Sequence, residues 1–549
     1  MANENNGRSR LFLGCFIALV ATAFGFIVRA LIIDDWSEDF RLTETQTGNL
    51  LGAGLYPFAF SIILFSLFID RIGYGKTMVF AFLCHIVSAI LTIRADSYVE
   101  LYVATFIFAI GNGTVEAVIN PVVATVYTRQ KTHMLNILHA GWPGGLVLGG
   151  VLTIFMGDGE NLQFLTGDLW RWKVGLVLLP TILYGILLMN VRFPVSERVA
   201  AGVSYREMLR EFGSLSCFVV SFMIVFQVAQ ILTGAGLATE IPQYLLWIVI
   251  FAITIAFHLA VGSFGQPIFV ILMLVMIPLA VTELGTDSWI ASLMEEILSE
   301  EGVAQVAQYG AWVLVYTSAI MFVLRFFAGP IVHRISPLGL LCACAAIAAV
   351  GLFWLSTAVG VAMIFAAATC YGVGKTFFWP TTLGVVAERF PKGGALTLNS
   401  IAGVGMLAAG ILGTPIIGFV QDTGFASRVQ RSADTELAQQ FLTEEPWALG
   451  SYQALNKVEW EELQAATNPE EVENPDPALV AKRREVEEIL KQSKQSALAK
   501  IAVLPCIMLA CYIGLILYFK SRGGYKAEVL AGHAADDEKF TGGVAGPVE

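Results

Sequence analysis

The chain has 549 residues, of which 56% are hydrophobic and only 14% are charged. A soluble core could not hide so many apolar side chains, so the composition indicates a polytopic membrane protein and excludes a water-soluble enzyme. Most of the net charge of −11 comes from one acidic segment near the C-terminus, and it does not point to a nucleic-acid partner.

Apolar runs long enough to cross a bilayer follow one another along the chain. The first run follows Arg8 and Arg10 and reaches Ile33, and we interpret it as an uncleaved first helix rather than a signal peptide. Two groups of six spans flank an inserted hairpin, which gives about fourteen spans. The runs lie near residues 11–33, 46–69, 77–95, 98–127, 135–156 and 173–191, then 215–234 and 242–263 for the hairpin, then 266–290, 307–328, 337–357, 359–384, 395–420 and 501–519.

Lys and Arg residues are concentrated in alternate loops of this predicted topology. By the positive-inside rule those loops and both termini are cytoplasmic, so we expect a multi-pass protein of the cell (inner) membrane, embedded in the lipid bilayer. The residues are Arg71 and Lys76, Arg129 and Lys131, Arg192 to Arg210, Arg334, Arg389 and Lys392, and Lys520 and Arg522.

Three regions are predicted from this arrangement. Residues 1–195 form an N-terminal six-helix half, residues 196–264 a cytoplasmic linker with the hairpin, and residues 265–549 a C-terminal six-helix half. The last region includes a Glu-rich outer loop, residues 422–499, between the final two spans. The end of this loop, PALVAKRREVEEILKQSKQSALAK, has apolar residues at helical spacing, which predicts a short amphipathic helix in an otherwise solvated segment.

The two halves also resemble each other in sequence. GTVEAVINP in the fourth span ends at Pro121 and GVGKTFFWP in the tenth ends at Pro380, so that Glu116 matches Lys375. A Leu-Asn pair follows each of them, with Asn136 matching Asn399. Repeated six-span halves are typical of secondary transporters, which place their site at the interface between the halves.

The fourth span holds a carboxylate, Glu116, at mid-membrane depth. A charge at that depth costs roughly 2.5–3.5 kcal/mol even on lenient insertion scales, so a role beyond packing is expected. Gly111, Gly113 and Pro121 predict that the same helix is loosened there. Glu116 could exchange a proton as the site opens to each side, or it could be a structural carboxyl bonded to a neighbouring helix or paired with Arg29.

Two cations in the predicted spans are further candidates for the site. Arg29, in the first span, stays charged at any relevant pH, so it requires a carboxylate, a water-filled cavity or an anionic ligand. Lys375 is followed by Phe377, Phe378 and Trp379, whose aromatic faces suit the apolar side of a sugar ring. Aromatic clusters in membrane helices also serve for packing alone, which is the alternative at these positions.

Four further polar residues complete the predicted substrate site. Asn120, Asn136, His139 and Asn399 lie in the fourth, fifth and eleventh spans, where they can bind solute hydroxyls or link neighbouring helices by hydrogen bonds. Glu283 and Asp287, toward the outer end of the seventh span, are weaker candidates for gate residues.

The loop SLFIDRIGYGK, residues 66–76, resembles the G-x-x-x-D-R-x-G-R-R/K signature of the major facilitator superfamily, with Ser66 in place of the first glycine. The resemblance covers nearly the whole chain except the hairpin and residues 422–499. It implies an all-α membrane protein with a major-facilitator-type bundle of two six-helix halves, to which this chain adds a two-helix hairpin. In such a bundle we expect Asp70, Arg71 and Arg325 to be gating residues whose charge links lock one face of the cavity.

A closer resemblance is to the fucose permease group of sugar/proton symporters. EAVINP at residues 116–121 resembles that group's E-T-A-A-N-P, and LNILHAGWPGG at residues 135–145 resembles its L-N-x-x-H/Q-x-x-W/F-G. The eighth span likewise contains Arg325, as in that group. The match implies that Glu116 is the proton-coupling residue. The first span departs from the group, because Ala30 stands at the acidic position and Arg29 lies beside it.

We therefore predict a monomeric secondary transporter that moves a small polar solute, a sugar, together with protons. An organic-anion or sugar-acid symporter that uses Arg29 as counter-charge is the alternative within transport. A solute sensor that binds through the outer loop and a membrane enzyme are the alternatives from other classes. The sequence contains no phosphate-binding G-x-x-x-x-G-K-[ST] loop and no catalytic or metal-ligand cluster, and we expect no cofactor.

Overall fold

Helices coincide with the predicted apolar runs along most of the chain. The computed structural model describes residues 2–42, 44–157, 167–234, 238, 241–287, 306–358, 360–431, 435–447, 450–468, 472 and 474–530.

The first six spans are built from ten helices in the described part of residues 2–188. The fourth span, α6, continues as one helix through Pro121, although proline has no backbone N–H and therefore deletes one hydrogen bond within the helix, as the sequence predicts. Gly113 allows a close approach of two helices, because a Cβ atom there would lie 2.1 Å from the carbonyl oxygen of Phe58. The helices are α1 (Ala2–Leu31), α2 (Ile33–Asp39), α3 (Glu44–Ala53), α4 (Tyr56–Ile72), α5 (Tyr74–Arg94), α6 (Tyr98–Val126), α7 (Lys131–His139), α8 (Gly141–Met156), α9 (Leu169–Gly175) and α10 (Leu178–Leu188).

A short helix and a helical hairpin follow: α11 (Glu197–Ala200), α12 (Tyr205–Gly234) and α13 (Gln243–Val261). Helix α12 is interrupted at Gly213, which has φ +71°. At the base of the hairpin the backbone nitrogens of Ser214 and Leu215 bond to the carbonyl oxygens of Ser263 and Phe264 at 3.0 and 3.3 Å. Helix α13 packs mainly against α12 and is otherwise largely exposed, as expected for a lipid-facing helix.

The remaining spans include two π-helical turns and two breaks. The seventh span contains the π turn Val281–Gly285. The eighth span is divided between Arg325 and Ala328, and the tenth between Lys375 and Phe378. The elements are α14 (Pro267–Ala280), α15 (Val306–Arg325), α16 (Ala328–Ile335), α17 (Pro337–Leu355), α18 (Val361–Lys375), α19 (Phe378–Arg389), a 3₁₀ turn (Pro391–Gly393), α20 (Gly394–Ala408), a second π turn (Ala409–Gly413), α21 (Thr414–Arg431) and, last in the chain, the helix Val503–Ser521.

The predicted outer loop is a folded module. After α21 it contains α22 (Thr435–Phe441), the antiparallel strands β1 (Leu442–Trp447) and β2 (Gly450–Leu455), α23 (Lys457–Thr467) and α24 (Pro477–Ile501). The last helix of the chain, Val503–Ser521, is α25. The amphipathic helix predicted here is confirmed, and it extends over the 25 residues of α24. A separate hydrophobic core holds the module together, formed by Phe425, Val429, Leu437, Phe441, Leu463 and Val486.

Twelve helices in the described residues are long and apolar enough to cross a membrane, and both hairpin helices are among them. Two predicted spans are not among the twelve. The apolar part of α15 is short, Trp312–Arg325, and the tenth predicted span is the broken pair α18 and α19. The multi-pass character is thereby established, and the count of fourteen spans stays a prediction.

The two predicted halves meet mainly along three pairs of helices: α4 with α20, α7 with α19, and α8 with α15. Basic residues are gathered at one end of this interface. Lys131 Nζ bonds to Glu197 Oε2 at 2.6 Å and to the carbonyl oxygen of Ala387 at 3.0 Å, and Arg8 bonds to the carbonyl oxygen of Val126. We call the end that carries Arg8, Lys131, Ala387 and the segment after α25 the basic end.

Candidate functional site

A small cavity of about 20 Å³ lies where the two halves meet. A cavity of this size holds about one water molecule, so a larger solute could enter only if the halves moved apart. Both halves contribute to its wall. The lining residues are Glu116, His139 and Trp142 from the first half, and Glu283, Leu284, Arg325, Trp379 and Met406 from the second.

Interruptions of regular helix shape this cavity. Pro143 and Pro380 each lie in the first turn of a helix, where a missing backbone N–H costs little, so α8 and α19 restart beside the cavity. Pro278 precedes the π turn that carries Glu283. Irregular backbone at membrane depth is tolerated where it is buried in protein or lines a cavity, and π turns are frequent at functional sites.

Glu116 is 3% exposed, and its one hydrogen-bond partner among the described residues is Asn120, whose Nδ2 lies 3.3 Å from Glu116 Oε2. The Oδ1 atom of Asn120 lies 2.9 Å from Nε2 of His139. Because an amide oxygen only accepts, Nε2 of His139 carries the proton in this bond. The three predicted residues therefore form one hydrogen-bonded chain, in which Glu116 and His139 line the cavity and Asn120 joins them. Within the described residues no cation pairs with Glu116.

Glu283 faces the same cavity but is paired. Its Oε1 atom lies 3.1 Å from Arg325 NH2, and both side chains are almost fully buried. Arg325 also donates to the carbonyl oxygen of His139 at 2.6 Å and to that of Thr376 at 2.8 Å. Arg325 therefore links the two halves from inside the cavity, whereas the sequence predicted a gating residue bonded to loops and helix ends.

Arg29 does not line the cavity. Its guanidinium lies over the ring of Phe108 at 3.8 Å and donates to Ser88 Oγ at 3.0 Å and Thr92 Oγ1 at 3.4 Å. The structure does not pair it with Glu116, so that alternative is wrong for this conformation. Its buried Nε atom has no hydrogen-bond partner.

Lys375, the repeat partner of Glu116, is held away from the cavity. It forms an ion pair with Asp287 and lies 5.1 Å from the ring centre of Tyr371. Trp379, four residues further along, does line the cavity. Of the two candidates in this segment, the structure brings only Trp379 to the site.

Asn136 and Asn399 lie at the interface between the halves. Asn136 Nδ2 bonds to Thr381 Oγ1 at 3.2 Å, and Asn399 Nδ2 bonds to the carbonyl oxygen of Ala117 at 3.0 Å. Each repeat-related asparagine therefore reaches into the opposite half. In this conformation they link helices, while Oδ1 of Asn399 is buried without a hydrogen-bond partner.

The comparisons with known proteins agree with this architecture. The family model described as Major Facilitator Superfamily matches residues 11–414, which is well over half of the chain. The chain belongs to the major facilitator superfamily. A search of the curated proteins found no match.

Several solved structures share the fold of this superfamily member. The proton:xylose symporter XylE is 14% identical with a TM-score of 0.60, covering 97% of this chain and 99% of its own. The human organic anion transporter MFSD10 is 11% identical with a TM-score of 0.54, covering 92% and 99%. The fucose:proton symporter FucP of E. coli is also similar, and its outward conformation is 15% identical with a TM-score of 0.50, covering 90% and 98%. At these identities the likeness concerns the fold.

The superfamily signature at residues 66–76 lies at the basic end. Asp70 accepts from Arg198 Nε at 3.0 Å and from NH2 at 2.7 Å, and the guanidinium of Arg71 lies 5.1 Å from the ring centre of Tyr205. Asp70 and Arg71 therefore connect the first half to the linker that follows it. Their predicted gating role is compatible with this position.

Two residues that line the cavity, Glu283 and Trp142, are not among the substrate-site residues predicted from the sequence. Glu283 lies in an apolar run five residues after Pro278, and a carboxylate in that setting is the same signal that singles out Glu116. Trp142 appeared in a family-like motif but was not singled out. Arg198, the partner of Asp70, gave no signal beyond its charge.

Proposed function

We propose that this superfamily member is a secondary transporter that moves a small polar solute with protons by alternating access. The observation that carries the proposal is Glu116: a buried carboxyl on the cavity wall, bonded to an amide and without an ion-pair partner among the described residues. No cation in the described part of the chain neutralises its charge, so binding a proton is the direct way to lower the cost of burial. Glu283 at the same site is instead neutralised by Arg325.

The transport cycle follows from this difference. With the cavity open to one side, Glu116 binds a proton from water, and the neutral carboxyl is compatible with closure around the solute. Rocking of the two halves then opens the cavity to the other side, where the proton leaves to water and the carboxylate is restored. Asn120 connects this carboxyl by hydrogen bonds to His139, which also lines the cavity.

A neutral polyhydroxy solute, such as a sugar, fits the cavity chemistry. Trp142 and Trp379 offer aromatic faces from opposite halves, while His139 and the paired Arg325 and Glu283 offer donors and acceptors. The cation on the cavity wall already has a carboxylate partner, so the site carries no surplus positive charge that would favour an anion.

The test is proton uptake by proteoliposomes that contain a pH-sensitive dye, with xylose, fucose and glucose added outside. We expect at least one sugar to acidify the lumen, and Glu116→Gln to abolish this acidification while retaining a sugar-dependent rise in the melting temperature. Glu100→Gln is the matched control, because Glu100 is an exposed carboxyl on the same helix. Full acidification by Glu116→Gln would contradict the assigned role.

A second candidate is an organic-anion transporter, and one observation favours it. Arg29 is a buried cation without an ion-pair partner among the described residues, and an anion could neutralise it if the helices rearranged during transport. Stabilisation by gluconate and galacturonate but not by neutral sugars, lost in Arg29→Gln, would support this candidate and overturn the sugar proposal.

A further inference from the structure

The chain segment after the last membrane helix folds back onto the basic end. Residues 525–530, which we call the tail, contact the C-terminal end of α19 rather than extending away from the bundle. The backbone nitrogen of Glu528 donates to the carbonyl oxygen of Glu388 at 2.7 Å, and Arg389 NH1 donates to the carbonyl oxygen of Lys526 at 2.6 Å. Leu530 is 8% exposed, so the end of the tail is buried as well.

Side chains add to these backbone contacts. The Tyr525 hydroxyl donates to Glu388 Oε2 at 2.8 Å, and the Tyr525 ring packs edge-on against Phe519 of α25. Burial and the neighbouring Glu388 carboxylate raise the pKa of Tyr525 well above its ordinary value, so the hydroxyl remains a donor. Glu528 also pairs with Arg389 at 3.0 Å, although this pair is partly exposed and is expected to contribute little.

The other oxygen of the same carboxylate connects the two halves. Glu388 Oε1 accepts from Thr132 Oγ1 at 2.5 Å and from the Thr132 backbone nitrogen at 3.2 Å. Thr132 lies in the first turn of α7 in the first half, next to Lys131, which bonds to the carbonyl oxygen of Ala387. Opening of the basic end must break these bonds, because they join helices that separate when the halves rock apart.

We propose that the tail is a latch: by holding Glu388 toward Thr132, it shifts the equilibrium of the transporter toward the state in which the basic end is closed. Tyr525 occupies one oxygen of the carboxylate and leaves the other directed at Thr132. Without the hydroxyl, the carboxylate loses one of the donors that fix its orientation, and closure is stabilised less. The latch requires neither an identified solute nor proton coupling.

The test is hydrogen–deuterium exchange of the full-length protein in nanodiscs, read in peptides that cover residues 127–135 and 386–394. We expect Tyr525→Phe to accelerate exchange in both segments by roughly tenfold, as for loss of one hydrogen bond to a charged group. Tyr518→Phe is the matched control, because Tyr518 is an exposed tyrosine on α25 and lies outside the latch. A chain ending at Gly524 should exchange at least as fast, and one ending at Leu530 should behave like the intact protein.

Unchanged exchange at the two segments in either Tyr525→Phe or the chain ending at Gly524 would overturn the latch. Residues 74–94, which form α5, serve as the reference segment. If exchange accelerates there by the same factor, the substitution destabilises the whole protein, and the latch is also overturned. The readout uses no solute, so failure of the latch is distinguishable from failure of the proposed transport activity.

Discussion

Glu116 and Glu283 show that neighbours, more than depth in the membrane, distinguish two buried carboxylates. Both line one cavity and both are nearly inaccessible to water. Glu283 lies 3.1 Å from Arg325, whereas Glu116 is bonded to the amide of Asn120. The first arrangement is suited to a permanent charge pair and the second to a carboxyl that changes protonation.

The pairing predicts a strong asymmetry between single and double substitutions at residues 283 and 325. Arg325→Met leaves the Glu283 charge buried without a partner, and we expect a loss of about 3–5 kcal/mol in stability. Arg325→Met combined with Glu283→Gln removes both charges, so much of the loss should be recovered. Thermal unfolding of the purified variants measures both effects.

Arg483→Met is the control for this experiment. Arg483 pairs with Glu487 one helical turn away on the partly exposed surface of α24, where such pairs contribute about 0.3–0.5 kcal/mol. Equal stability of the single variant Arg325→Met and its double variant would show that the buried pair is not the reason for the loss.

The candidate site was predictable from sequence where a residue type is costly in a membrane. Glu116, Asn120 and His139 stand out because polar groups at that depth need partners, and the structure brings them together. The orientation of Arg29 could not be predicted, since residues on one helix can face the cavity or the neighbouring helices of the same half. Its guanidinium lies over Phe108 because Gly25 leaves room for that ring, and a Cβ at Gly25 would come within 2.2 Å of it.

At the scale of elements, glycine and proline permit helix breaks and close approaches but do not by themselves determine them. Pro121 lies within a continuous α6, while Pro380, at the equivalent repeat position, stands in the first turn of α19 after a break. The same alignment of sequence therefore gives two different local structures. Packing against the neighbouring helices decides between them, and a single sequence does not contain that information.

At the base of the hairpin, the close backbone contact at Gly213 predicts how substitution there changes stability. A Cβ atom there would lie 2.1 Å from the Cα of Gly265, and its φ of +71° is already unfavourable for alanine. We expect Gly213→Ala to reduce the free energy of unfolding by about 2–4 kcal/mol. The loss combines backbone strain at residue 213 with displacement of the segment around Gly265, which closes the hairpin. The midpoint of thermal unfolding in detergent is the measurement.

Gly202→Ala is the control for a positive φ without a close contact. Gly202 has the same φ of +71°, but a Cβ at that position would meet no atom within 4 Å. Its substitution should cost about 1–2 kcal/mol from backbone strain alone. If both alanine variants lose the same stability, the close contact at the base of the hairpin does not contribute.

At the scale of the whole molecule, hydropathy, the repeat and the signature loop were sufficient to predict the superfamily and its helical bundle. They were insufficient for the region between α21 and α25. Segments of that region have too few apolar residues to look like a core, yet Phe425 and Val429 of α21 meet Val486 of α24 across a long separation in sequence. Such a core arises from contacts between distant segments, and periodicity within one segment does not reveal it.

The module between α21 and α25 allows a last prediction that distinguishes transport from sensing. Helices α21 and α24 continue outward from the final spans and pack side by side, with Ser493 Oγ bonded to the carbonyl oxygen of Gln421 at 2.5 Å. Replacement of residues 432–476 by a Gly-Ser linker of about 12 residues, which spans about 19 Å on average, should therefore leave the bundle folded. Because the cavity lies between the two halves of the bundle, the sugar-dependent rise in melting temperature should persist in this variant. If the protein is instead a sensor that binds solute through the module, the linker variant should lose the rise in melting temperature and Glu116→Gln should retain it. That pattern would contradict the transporter proposal and support a receptor.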